Sequence, residues 1–91
     1  MDEEILRYIK KWLNNNNFDS LNYIDSNKEY IQLHLKGWQI HYFFRDKDYL
    51  KNEVYLVSPN NRIIVKYRCD NLTITKTKRI HQIINKWIPR K

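Results

Sequence analysis

The chain has 91 residues, the length of one domain, and its 42% apolar and 14% aromatic content is enough for a core and too high for a disordered segment. A lone cysteine, Cys69, excludes an internal disulfide and a multi-cysteine metal site, and the apolar runs are too short to span a bilayer. The net charge of +7 is uneven: residues 1–56 hold eight Lys/Arg against nine Asp/Glu, while residues 57–91 hold nine against Asp70 alone.

In chain order, a first helix is predicted from about Glu3 to Leu13. Asp2 is the expected N-cap, Glu3 and Glu4 suit the positive end of the helix dipole, and Lys10 and Lys11 suit the negative end. Ile5, Ile9, Trp12 and Leu13 form one apolar stripe with Tyr8 beside it. Asn14 to Asn17 stops the helix. Residues 18–28, with Phe18, Leu21 and Ile24, fit either a short helical turn or a short edge strand, and Asp25-Ser26-Asn27 reads as a turn.

Glu29–Leu35 and Trp38–Arg45 both alternate around Lys36-Gly37, which predicts a two-residue hairpin. That register pairs Leu35 with Trp38, Leu33 with Ile40 and Ile31 with Tyr42. Because cross-strand partners share a face, these residues and Phe44 form the core side. Tyr30, Gln32, His34, Gln39, His41, Phe43 and Arg45 form the other side. Asp46 to Asn52 is a charged connection with room for one helical turn.

A second hairpin is predicted from Val54–Val57 and Arg62–Cys69 around Ser58-Pro59-Asn60-Asn61. Pairing Val57 with Arg62 sets Val54, Leu56, Ile63, Val65 and Tyr67 on the core face, with Tyr55, Val57, Ile64, Lys66 and Arg68 outside. A second helix follows from about Lys76 to Ile88, capped by Thr75. Its apolar stripe is Ile80, Ile83, Ile84, Trp87 and Ile88, with His81 at the edge, and Pro89 ends it. The order α-β-β-β-β-α predicts an α+β two-layer sandwich: a four-stranded antiparallel sheet with the N- and C-terminal helices on one face. The other face of the sheet is left open.

The charge excess gathers at the end of the chain, on Lys66 and Arg68 of the last strand and on Lys76, Lys78, Arg79, Lys86 and Arg90 in and after the last helix. Such a surface is expected to neutralise phosphates of DNA or RNA and release their counterions. A second candidate surface is the open sheet face, where Tyr30, His34, His41, Phe43, Tyr55 and Ile64 accompany Lys66 and Arg68. It suits either base stacking of a single strand or a protein interface, in a homodimer or with an acidic protein. Two sheet histidines near cationic groups also fit metal-independent cleavage of RNA, against the plainer reading of His34 and His41 as polar surface residues.

The expected function is thus non-enzymatic nucleic-acid binding, with a protein-interaction module as the alternative and a small ribonuclease behind it. No catalytic group, metal site or cofactor is expected, and no membrane partner, since the isoleucines of the last helix are needed to cover the sheet. The lone thiol and acidic amino terminus point to a cytoplasmic protein. Abundant Ile, Asn and Lys without alanine track AT-rich codons, as in a low-GC bacterium, its phage or mobile element, or an AT-rich protist. The order of elements and the lysine-rich start of the last helix (Lys76, Lys78, Arg79) resemble the α-β-β-β-α plan of double-stranded-RNA-binding domains. The chain departs from it in having a fourth strand and in lacking a short Gly-Pro loop between the first two strands.

Overall fold

A computed structural model describes residues 3–21, 30–44 and 51–88. Helix α1 (Glu3–Asn15) leads into a short strand β1 (Asp19–Leu21), followed by β2 (Tyr30–Leu35), β3 (Trp38–Phe43), β4 (Asn52–Val57), β5 (Ile63–Cys69) and α2 (Ile74–Trp87). The strands form one antiparallel meander in the order β1-β2-β3-β4-β5. The α+β plan with a helix at each end is as expected. The ambiguous stretch after Phe18 resolves in favour of an edge strand, whose Ser20 pairs with Leu33. The expected cap Asp2, the turn at residues 25–27 and residues 46–50 of the expected connection lie outside the described residues, and Asn52, expected in that connection, begins β4.

The first hairpin has the predicted register, with Leu35 opposite Trp38, Leu33 opposite Ile40 and Ile31 opposite Tyr42. Lys36 and Gly37 both take positive φ, 52° and 87°, which a two-residue loop between right-twisted strands requires. A Cβ on Gly37 would also lie 3.2 Å from Pro59 Cβ.

The second hairpin differs from expectation. Ser58 N–H donates to Arg62 O at 2.8 Å, and Asn61 N–H donates to Ser58 O at 2.9 Å. Asn61 sits in the left-handed region at φ 65°. The loop therefore has three residues rather than four, a turn closed by a left-handed residue. A register shift between Leu56 and Val57 displaces the ladder again, so that Val57 faces Ile63 but Leu56 faces Val65. Two one-residue displacements restore the original parity beyond the bulge. Val54, Leu56, Val65 and Tyr67 stay on the core side, whereas Ile63, expected inside, is 60% exposed, and Ile64, expected outside, is partly buried against the core.

Helix α2 starts two residues earlier than predicted, because Thr73, not Thr75, is its N-cap. The Thr73 side chain accepts from Lys76 N–H at 3.2 Å, and Thr77 Oγ1 donates to Thr73 O at 2.8 Å. The helix is also rotated from the predicted stripe. Thr77, Ile80, His81, Ile84 and Ile88 are buried, while Ile83 and Trp87 are 40% and 50% exposed. Ile5, Ile9 and Trp12 of α1 join the buried helix and strand residues in one core cluster on one side of the sheet. Among the described residues no helix is long and apolar enough to cross a membrane.

Candidate nucleic-acid interface

The two helices are tied together through His81. Its imidazole stacks on Trp12 at 3.8 Å and on Tyr8 at 5.4 Å, and its Nε2 shares a hydrogen bond of 2.7 Å with the hydroxyl of fully buried Tyr42. Burial pushes the His81 pKa down to about 3, so the ring is neutral near pH 7. Burial likewise raises the Tyr42 phenol well above its ordinary range, with Tyr8 adding to the effect. The pair therefore packs as neutral groups, and this packing sets α1 beside α2.

The solvent side of this helical layer carries charge from both ends of the chain. In α1 the exposed positions include Arg7, Lys10 and Lys11; in α2 they include Lys78, Arg79 and Lys86. The two sets adjoin where Lys78 Nζ lies 5.8 Å from the centre of the Tyr8 ring. Tyr8, with Glu4, Arg7, Lys11 and Ile74, lines a shallow groove of about 230 Å³. Two cations and the Glu4 carboxylate thus line the groove beside Tyr8, and a third cation, Lys78, stands over its ring, a net positive charge that suits a phosphate beside an apolar wall.

The predicted cationic residues do not form a single surface. Lys66 pairs with Tyr55, which pairs with His41, so Lys66 and Arg68 belong to the open sheet face. Lys78, Arg79 and Lys86 lie on the helical side. Arg68 is also neutralised locally, with its Nε 3.0 Å from Glu53 Oε2. Lys76 Nζ donates to Asn71 O at 3.1 Å. Arg90 lies outside the described residues. Sequence reasoning missed Arg7, Lys10 and Lys11, because residues 1–56 are near neutral in sum. The polar face of α1, taken by itself, contained the signal.

The open face holds a continuous polar chain across β2 and β3. Tyr30 donates to Gln32 Oε1 at 2.5 Å and its hydroxyl is 2.6 Å from His41 Nδ1; His41 Nε2 is 2.8 Å from Gln39 Oε1, and Gln32 Nε2 is 2.5 Å from His34 Nε2. Burial, with His34 nearby, lowers the His41 pKa and favours its neutral form. Gln39 Oε1 can only accept, so His41 Nε2–H donates to it; the Tyr30 hydroxyl has a single proton, which Gln32 Oε1 and the Nδ1 of a neutral His41 share as alternative acceptors. His34 and His41 are linked through Gln32 and Tyr30. An aromatic row runs alongside, with Tyr30 to Phe43 at 4.8 Å, Phe43 to Tyr55 at 5.7 Å, and Lys66 Nζ 5.7 Å from the Tyr55 ring centre. Tyr55 donates to Glu53 Oε1 at 2.7 Å. Ile64 is not part of this face; Ile63 takes the exposed position.

Cys69 is partly buried, and burial raises its thiol pKa, which makes it a weaker nucleophile. Among the described residues no three His, Cys, Asp or Glu side chains gather as metal ligands. No protein-family model matches the chain, and comparison with curated proteins and with solved structures gives no match.

Proposed function

We propose that the protein binds nucleic acid through the solvent face of its helical layer. The observation that carries this reading is that Arg7 and Lys11, outnumbering Glu4, line the groove beside Tyr8 while Lys78 from α2 stands over the Tyr8 ring. Arg79 and Lys86 extend the cationic surface along α2, and the net charge of +7 favours association with any polyanion. Contacts of this kind go to phosphate, so affinity is expected to depend little on base sequence.

Electrophoretic mobility shift and filter binding at graded salt test the proposal. Binding to labelled duplex and single-stranded oligonucleotides should fall with salt, with a log–log slope of about −0.9 per phosphate contact on duplex DNA. Arg7→Glu and Lys78→Glu should each weaken every oligonucleotide alike and make the slope shallower by roughly one contact or more. Lys66→Glu, on the opposite face, should change affinity by less than about threefold, a long-range effect of net charge. Absence of any shift at low salt would sink the proposal. A large loss at Lys66 with none at Arg7 would move the footprint to the open sheet face.

The alternative, a protein-interaction surface on the open sheet face, draws on the aromatic row Tyr30, Phe43 and Tyr55. It predicts association broken by Phe43→Asp, measured by sedimentation.

A further inference from the structure

The apolar groups left most exposed among the described residues flank one border of the molecule. Trp12 stacks on Phe18 at 4.9 Å and on His81 at 3.8 Å. Phe18 leads into β1, and His81 is on the α1-facing side of α2. The opposite flank of α2, which carries Lys76, Ile83 and Trp87 at helical spacing, therefore points away from the β1 border and toward β5. There β5 is the last strand of the sheet, with no further strand beyond it among the described residues. Its core-side residues Val65 and Tyr67 are only partly covered. Ile63 on the strand and Ile83 and Trp87 on the helix are 60%, 40% and 50% exposed.

An edge strand presents unpaired N–H and C=O groups at every second residue, which a further strand can satisfy. After the bulge at its start, β5 pairs regularly with β4 from Val65 to Cys69. Lys66 stands on its outer face beside Arg68, which pairs with Glu53, and the flank of α2 adds Lys76. Pairing of β5 with its own copy would bring like charges together across the two-fold axis, which is destabilising. Acidic side chains at alternate positions complement Lys66 and Arg68, and apolar side chains between them fall on the side of Val65, Tyr67, Ile83 and Trp87.

We infer that the β5 edge binds an extended segment of another protein, with alternating acidic and apolar residues, which adds to the sheet as a further strand. Backbone hydrogen bonds hold the segment, Lys66 selects its acidic face, with Arg68 joining where an incoming carboxylate replaces Glu53, and the exposed flank of α2 covers its apolar face. This surface is separate from the groove around Tyr8 and does not depend on nucleic-acid binding there.

The test is fluorescence anisotropy with a labelled peptide of alternating glutamate and valine, about ten residues long, enough to span the strand. Two further peptides carry N-methyl groups on alternate backbone amides, one in each register, and a third has the same composition with its glutamates and valines in separate blocks. The alternating peptide should bind. One N-methylated register and the block peptide should bind at least about tenfold more weakly, as should the parent peptide to the Lys66→Glu/Arg68→Glu variant. Trp87→Ala should weaken binding, and Lys78→Glu should leave it within about twofold. Equal binding by both N-methylated forms, or by the block peptide, would show general charge attraction and overturn the proposal. So would displacement by an oligonucleotide, no binding at about 1 mM peptide, or a protein dimer in sedimentation that Lys66→Glu strengthens. Circular dichroism on each variant confirms that the fold is retained.

Discussion

His81 stacks within 3.8 Å of Trp12, shares its Nε2 with the Tyr42 hydroxyl and is 1% exposed; no hydrogen-bond partner reaches its Nδ1 among the described residues. Charging this ring would place an imidazolium among apolar and neutral groups, which is why its pKa falls from 6.5 to about 3. The unfolded chain takes up a proton as the pH drops through 6.5, and the folded chain resists until about 3. The stability that neutral His81 contributes is therefore complete above pH 6.5 and is lost as the pH falls toward 3, at a rate approaching 1.4 kcal/mol per pH unit, an order-of-magnitude figure. His41, also lowered by burial, contributes with the same sign. Urea midpoints measured between pH values of about 7 and 5, above the ordinary carboxylate range, should fall steadily, and His81→Gln should remove most of that slope. A slope unchanged in the variant would mean that the ring is not the titrating group. The helical spacing placed His81 only at the edge of a stripe; a polar residue offers no sequence signal that an aromatic neighbour will cover it.

At the scale of the elements, the first hairpin was legible because two independent signals agree. Alternation on both strands and a two-residue Lys36-Gly37 loop select one register. The second hairpin lacked that redundancy. Ser58-Pro59-Asn60-Asn61 can close either a four-residue or a three-residue loop, and the choice depends on Asn61 entering the left-handed region. The bulge that follows restores parity, so the alternation of apolar residues cannot reveal the slip except at Ile63 and Ile64, which exchange sides. The start of α2 shows the same local ambiguity, since Thr73 and Thr75 are both acceptable caps by residue type. The hydrogen bond from Lys76 N–H to Thr73 Oγ1 decides between them. Thr73→Ala should cost about 1 kcal/mol in chemical denaturation, and Thr75→Ala less than about 0.5 kcal/mol. The reverse ranking would put the cap back at Thr75.

For the whole molecule, the question is which side of α2 the rest of the protein covers. Ile80, Ile84 and Ile88 lie on the common centre of two possible stripes, one completed by Ile83 and Trp87 and the other by Thr77 and His81. The first is the more apolar, yet the second is buried, because α1 lies on that side with Trp12 and Tyr8 against His81. Ile84→Ala should accordingly cost about 2–5 kcal/mol, while Ile83→Ala should cost less than about 1 kcal/mol, as measured by urea denaturation. Comparable losses at both positions would restore the predicted stripe. By itself, the sequence determined what repeats locally: two amphipathic helices, two alternating hairpins, the residues of the core side in β2, β3 and β4, and a basic second half. Only the tertiary structure decided how these parts are turned and joined. It set α1 against α2, so that Lys78 stands over Tyr8 beside the groove that Arg7 and Lys11 line, and it put Lys66 and Arg68 on the opposite face. The physical reason is that periodicity fixes positions within one element, whereas the azimuth of a helix and the neighbours of a charge depend on contacts between residues distant in the chain.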